Sequence, residues 1–280
     1  MLALEQNKIL PVLISYTVPY ADMLADTDGW DWIKIALRSF HDHFPGEKVL
    51  VVDNDSDDDR YGQKRAWLHE YSGAIVIRNP VTRDTGFWRH HHPRLNHHHG
   101  AGIDLAVDYC RQQGYEFLLY FEPDCLVAGR AWVENMWRQL QGGAWMTGGN
   151  IAARTNRIIH VCPSMWRIDS PCCATSFMRQ SKELDRRHPL FTVLTGFDEV
   201  ALAWEKWDTA QKNWWIAALR GRAWPSTIPS GDFNHYWSGS GYLGKRGVRG
   251  HPHYPRFVPY LDESRHAHSC VAVASRDEMT

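Results

Sequence analysis

Uninterrupted apolar runs alternate with segments of helical spacing through the first half of the chain. Residues 9–16 form a β-rich run punctuated by Pro11, and residues 48–52, 74–77 and 117–121 repeat the pattern. Runs of about five apolar residues with no polar alternation predict strands buried on both faces, as in a parallel sheet. Between them, residues 30–43 place Trp32, Ile33, Ile35, Ala36, Leu37 and Phe40 at helical spacing, and Pro45-Gly46 ends the segment. Residues 61–71 and 102–113 read as two further helices. Strand and helix alternating at this spacing predict an α/β fold with a mainly parallel central sheet flanked by helices. Beyond Gly142-Gly143 the pattern loosens. Strands are predicted at 145–151 and 175–178, with irregular Pro- and Cys-containing sequence between them, and a long helix at 198–219. After Pro225, the density of Gly, Pro, His and aromatic residues predicts loops and a C-terminal extension. No repeat or low-complexity linker divides the chain. It reads as one domain over residues 1–280, with a first half at 1–127, a second at 128–240 and an extension at 241–280.

Composition narrows the function classes. The chain has 280 residues, 44% of them hydrophobic, enough for one substantial core. Lysine and arginine (31) nearly balance aspartate and glutamate (32), leaving a formal charge of −1. That balance argues against a nucleic-acid partner. Residues 1–20 show no signal-peptide pattern, and the apolar runs fall short of a membrane span, so integral membrane contact is not expected. The expectation is a cytoplasmic protein, free or peripheral to a membrane. Its six cysteines show no C-x-x-C spacing and read as reduced thiols. The sequon at Asn54 is then a loop sequence. Fourteen tryptophans are enough to fill a core and also face a sugar ring or nucleobase in a cleft. Trp204, Trp207, Trp214 and Trp215 recur at helical spacing and read mainly as core.

The densest candidate chemistry lies at Phe121-Glu122-Pro123-Asp124, where the fourth predicted strand ends. Open α/β sheets bind ligands at the carboxyl ends of their strands. Two carboxylates there supply hard oxygen ligands for Mg2+ or Mn2+, and such an ion holds a diphosphate. The bland alternative is a solvated turn in which Asp124 caps the next helix. Asp53 ends the second strand and can accept from a nucleobase N–H or a ribose hydroxyl. The acids at 55–59 after it read mostly as a turn. Six histidines (His90, His91, His92, His97, His98, His99) crowd around Pro93-Arg94-Leu95-Asn96. Zinc is one reading of this run, but it lacks zincin spacing, and consecutive side chains cannot all converge on one ion.

Taken in order, these motifs resemble a GT-A glycosyltransferase of the family 2 type over roughly residues 9–240. The matching segments are Ser15-Tyr16-Thr17 after the first strand, Val51-Val52-Asp53-Asn54 with Ser56 and Asp57, and Asn79. They continue through residues 99–106, Glu122-Pro123-Asp124 in place of D-x-D, residues 173–179, Thr195-Gly196-Phe197-Asp198-Glu199, and the stretch ending at His235. The resemblance implies a Rossmann-like nucleotide-diphospho-sugar transferase fold, with residues 1–127 holding the nucleotide sugar and 128–240 the acceptor. It implies a nucleotide pocket at Ser15, Tyr16, Thr17, Asp53 and Asn54, with Asp53 on the base. Glu122, Asp124 and His235 would hold a divalent metal, Mn2+ or Mg2+. Arg94, His98, His99 and Asp124 would contact the donor diphosphate. The catalytic base would be Glu205, with Asp198, Glu199 and Asp208 as rivals. Here the chain departs from the family: the usual acidic pair, Glu-Asp, reads Glu205-Lys206, with a lysine for the second acid. The implied reaction moves a sugar from a nucleotide-diphosphate donor, a UDP-sugar by first choice, to a hydroxyl of a small-molecule or glycan acceptor, with inversion. The rivals are a non-catalytic carbohydrate- or nucleotide-binding protein, a sugar nucleotidyltransferase and a zinc hydrolase. No glycine-rich phosphate loop follows the first strand, which counts against the nucleotidyltransferase. The sequence leaves the oligomeric state open.

Overall fold

The computed structural model describes residues 2–15, 29–53, 66–79, 96–149, 162–174, 211–236 and 251–262. The first three buried runs become parallel strands: β1 (Ile9–Ser15), β2 (Val49–Asp53) and β3 (Ala74–Arg78). The fourth, β4 (Phe117–Phe121), lies parallel to β1 on its other side. β1, β2 and β4 are buried at every position, as their unbroken apolar composition requires, whereas β3 is a half-buried edge. Pro11 fits because the register with β2 begins only at Val12.

Two helices cover this sheet from opposite sides. α1 (Gly29–His43) places Phe40 in a stack with Phe121 of β4, ring centroids 5.2 Å apart. α2 (Asn96–Gln113) places His99 against Tyr120, the preceding residue of the same strand. Successive strand side chains point to opposite faces, so α1 and α2 lie on opposite faces of the sheet. α2 begins six residues before the predicted start at 102. Gly100 and Gly102 argue locally for a later start, but burial of Gly100, Ala101 and Ile103 overrides that preference.

The second half extends the sheet. β6 (Met146–Gly149), β7 (Ser164–Arg167) and β8 (Ala223–Ser226) give seven strands in the order β3-β2-β1-β4-β7-β6-β8, with β7 antiparallel to both neighbours. β7 falls in sequence expected to be irregular, because four residues after a proline carry too little pattern to read. β5 (Cys125–Val127) and β9 (Phe233–His235) pair separately as a small antiparallel sheet. Two helices also escape the sequence reading. α3 (Ala131–Gln141) carries buried Trp132, Val133, Met136 and Leu140 at helical spacing, and its Trp137 meets Phe117 edge-on, on the same face as α1. α5 (Tyr254–Leu261) lies in the predicted loop region, its two prolines masking a helix that Phe257 anchors. Of the long helix predicted at 198–219, the described part is α4 (Gln211–Leu219), with Trp214 buried. Residues 66–70 are helical, as expected within 61–71. The predicted strand at 175–178 lies outside the described residues.

α1 carries a pH-sensitive group away from the sheet ends. His41 Nε2 lies 2.9 Å from the Glu47 carbonyl, and the Tyr71 hydroxyl lies 2.9 Å from Nδ1. The ring fills the space that a Cβ on Gly73 would need, at 2.6 Å. Burial holds its pKa below the ordinary value, against the opposing pull of the Glu47 and Leu37 carbonyls. The folded state therefore favours neutral His41. Its contribution to stability is complete above the unfolded-state pKa of about 6.5 and is lost as pH falls through the lower folded value. An NMR titration of the ring should give a midpoint below about 6.5. A midpoint above it would show that the carbonyls dominate.

Candidate active site

Strand order reverses between β1 and β4. The chain steps from β1 outward to β2 and β3, then returns to the other side of β1. Crevices open at such switch points, outside the carboxyl ends of the strands. Ser15, Asp53, Glu122, Asp124 and His235, all singled out in the sequence, lie there. Ser15 and Asp53 are register partners at the ends of β1 and β2, both buried. Leu13 pairs with Phe121, so Ser15, two residues on, leaves the sheet beside the Glu122–Asp124 turn. The Asp53 carbonyl accepts from the Asn79 N–H at 2.8 Å, tying the ends of β2 and β3.

The acidic turn is not a solvated one. Asp124 is 2% exposed, and the helix that follows is capped by another residue. The Asp232 carboxylate accepts from the Ala131 N–H at 2.9 Å at the start of α3, while the Asp232 carbonyl accepts from Ala128 N–H at 2.7 Å. Gly129 permits this clasp, since a Cβ there would lie 2.4 Å from the Asp232 carboxylate. With Asp232 held, β9 pairs with β5 so that His235 lies opposite Cys125. The Tyr236 N–H then donates to the Asp124 carbonyl at 2.9 Å.

This pairing brings together residues 111 positions apart. His235 Nε2 lies 2.8 Å from Glu122 Oε2 and 3.1 Å from Asp124 Oδ1. Burial disfavours the charged ring, but Cys162 and the Glu122 and Asp124 carboxylates raise its pKa well above the ordinary value. Cys162 is itself fully buried, and burial, foremost among its causes, holds its thiol well above the usual range. The thiol is therefore neutral, and the two carboxylates carry the effect. His235 Nε2 thus contacts both carboxylates, gathering three potential ligand atoms. The donor set fits a divalent cation: two hard oxygens suit Mg2+ or Mn2+, and the imidazole nitrogen tips it toward Mn2+. Ligand atoms about 2.1 Å from an octahedral ion are roughly 3.0 Å apart, close to the two separations found.

Two neighbours were not singled out in the sequence. Cys162, ahead of β7, accepts from the Glu122 N–H at 3.3 Å and lies 3.4 Å, sulfur to sulfur, from Cys125. Burial pushes the Cys125 thiol up to about 11. Neither cysteine stands in a recognisable spacing; only the convergence of β4, β5 and β7 joins them. Of the remaining site candidates, His99 contacts the Tyr120 hydroxyl through Nε2. Tyr16, Thr17, Asn54, Arg94, Asp198, Glu199, Glu205, Asp208 and the His98 side chain lie outside the described residues.

No protein-family model and no curated protein matches the chain. Among solved structures, it is similar to the apo form of the glycosyltransferase GlyE of Streptococcus pneumoniae TIGR4. The TM-score is 0.50 at 12% identity, over 96% of this chain and 63% of that one. The fold is GT-A-like. The chain thus spans less than two thirds of the GlyE structure. Also similar are the mannosyltransferase PcManGT from Pyrobaculum calidifontis in complex with GDP-Man and Mn2+ and 4-diphosphocytidyl-2C-methyl-D-erythritol synthase from Anaerococcus prevotii DSM 20548. PcManGT gives a TM-score of 0.45 and 14% identity, over 98% of this chain and 76% of that one. The synthase gives 0.44 and 10%, over 81% and 91%. Among the described residues, no helix of this GT-A-like chain is long and apolar enough to cross a membrane.

Proposed function

We propose that the chain is a metal-dependent glycosyltransferase of the family 2 type. It moves a sugar from a nucleotide-diphosphate donor, a UDP-sugar by first choice, to a hydroxyl of a small-molecule or glycan acceptor. The observation that carries this reading is the joining of Glu122, Asp124 and His235 at the switch-point crevice, in a donor set that fits a divalent ion.

Each residue has a role that its chemistry allows. Asp53, at the end of β2, accepts from the base or ribose, and Ser15 with Tyr16, Thr17 and Asn54 completes the nucleoside pocket. Asp124, Glu122 and His235 hold Mn2+ or Mg2+. Such an ion neutralises the charge that develops on the departing diphosphate, without a proton donor. Arg94, His98 and His99 contact the donor phosphates. Glu205 takes the proton of the attacking acceptor hydroxyl, with Asp198, Glu199 and Asp208 as the other carboxylates able to do so. A carboxylate acting opposite the leaving group inverts the anomeric centre.

Calorimetry with UDP, GDP, dTDP and CDP, with and without Mn2+, tests the reading. One nucleotide should bind tightly, and only with metal present. Absence of nucleotide binding in every condition would overturn it.

A further inference from the structure

The two thiols beside the carboxylates have no part in that reading, yet they share its imidazole. We infer that Cys125, Cys162 and His235 form a second, thiolate-based site for Zn2+, which competes with the carboxylate site for His235. Three elements deliver the ligands. Cys125 opens β5 directly opposite His235 in the β9 register, and Cys162 approaches from the strand entry of β7. The sulfurs are 3.4 Å apart, and both lie within 4.8 Å of a ring nitrogen of His235. At a Zn–S distance of about 2.3 Å, two thiolates on one tetrahedral ion sit roughly 3.8 Å apart, so the pair needs only a slight opening. Neither Glu122 nor Asp124 groups with both sulfurs, so the fourth position is left to solvent. Glu122 and Asp124 are both in contact with the same His235 nitrogen.

Chemistry separates the two sites. The soft thiolates favour zinc strongly, whereas the hard carboxylate oxygens are the ligands that suit Mg2+ or Mn2+. On zinc binding, two S–H bonds break and their protons, with any proton on His235, pass to solvent as the metal bonds form. Both sites draw on the one imidazole, so zinc competes with manganese for it. Two buried thiols can also be mere core filling, and Cys110 has that character in α2. What distinguishes Cys125 and Cys162 is their convergence with each other and with an imidazole.

Metal-free full-length protein, kept reduced, would be titrated with Co2+ as a spectroscopic stand-in for zinc. The expected result is a near-ultraviolet thiolate-to-cobalt charge-transfer band of two-thiolate intensity, abolished by stoichiometric Zn2+. Cys125→Ala and Cys162→Ala should each weaken zinc binding by more than the roughly 100-fold seen for loss of an outer-shell partner. The pair Cys172→Ala with Cys173→Ala should leave the band intact. Mn2+ bound to wild type, followed by electron paramagnetic resonance, should be released as Zn2+ is added. Absence of a thiolate band in wild type would overturn the inference, and so would its loss in the Cys172/Cys173 variant. Neither outcome depends on how the Cys125 and Cys162 variants fold. None of these readouts requires nucleotide binding or transfer, so the zinc site stands or falls apart from the transferase reading.

Discussion

Asp124→Asn is expected to lower Mn2+ affinity by roughly 1,000-fold while leaving the fold in place. The side chain is 3% exposed, so asparagine keeps its shape and loses only its charge. Two unit charges about 4 Å apart at an effective dielectric of 20 are worth on the order of 4 kcal/mol, a conservative scale for the loss at a divalent ion. Asp124 touches His235 in this structure, so the variant removes one ligand and half of what holds the other. Manganese titration followed by electron paramagnetic resonance measures the effect, and a thermal melt checks the fold. Affinity within about tenfold of wild type, some 1.4 kcal/mol, would remove Asp124 from the ligand set. The same variant should bind the preferred nucleotide no better with metal than without it.

The second large effect concerns a residue that touches no ligand. Trp132 of α3 is fully buried, packs on Phe233 with ring centroids 4.7 Å apart, and donates from Nε1 to the Gly129 carbonyl at 3.0 Å. Trp132→Ala should cost about 3–5 kcal/mol by leaving a cavity. In a chain of this size each kcal/mol lowers Tm by about 2–4 °C, so the melt should fall by roughly 6–20 °C. Phe233 begins the strand that ends at His235, so Mn2+ affinity should fall as well. Trp132→Phe should restore most of both. If metal affinity were unchanged while stability fell, the Asp232 clasp and the pairing with β5 would suffice to place β9 without Trp132.

What the sequence made legible was the part governed by local pattern. β1, β2 and β4 are short apolar runs whose burial on both faces is written into their composition, and the Glu122–Asp124 turn is visible because charge follows Phe121 directly. The spacing of Trp132, Val133, Met136 and Leu140 equally marks α3, although the sequence reading passed over it. β5 and β9, at three residues each, are too short to show a period, and their pairing is a tertiary fact. His235 entered only through family resemblance, because nothing in the local sequence links it to a turn 111 residues earlier. Cys162 entered by no route, since its role depends on where β7 starts. Long-range pairing is thus the information that local propensity cannot carry.

The small β5–β9 sheet also imposes an order on biosynthesis. Glu122 and Asp124 leave the ribosome more than a hundred residues before His235, and β9 cannot form its ladder until that segment has emerged. At about 5–20 residues per second the carboxylates wait several seconds without their imidazole. During that interval they lack the His235 ring that contacts both of them in the folded protein. The turn at the mouth of β4 therefore gains its final partner only after residue 235 has emerged.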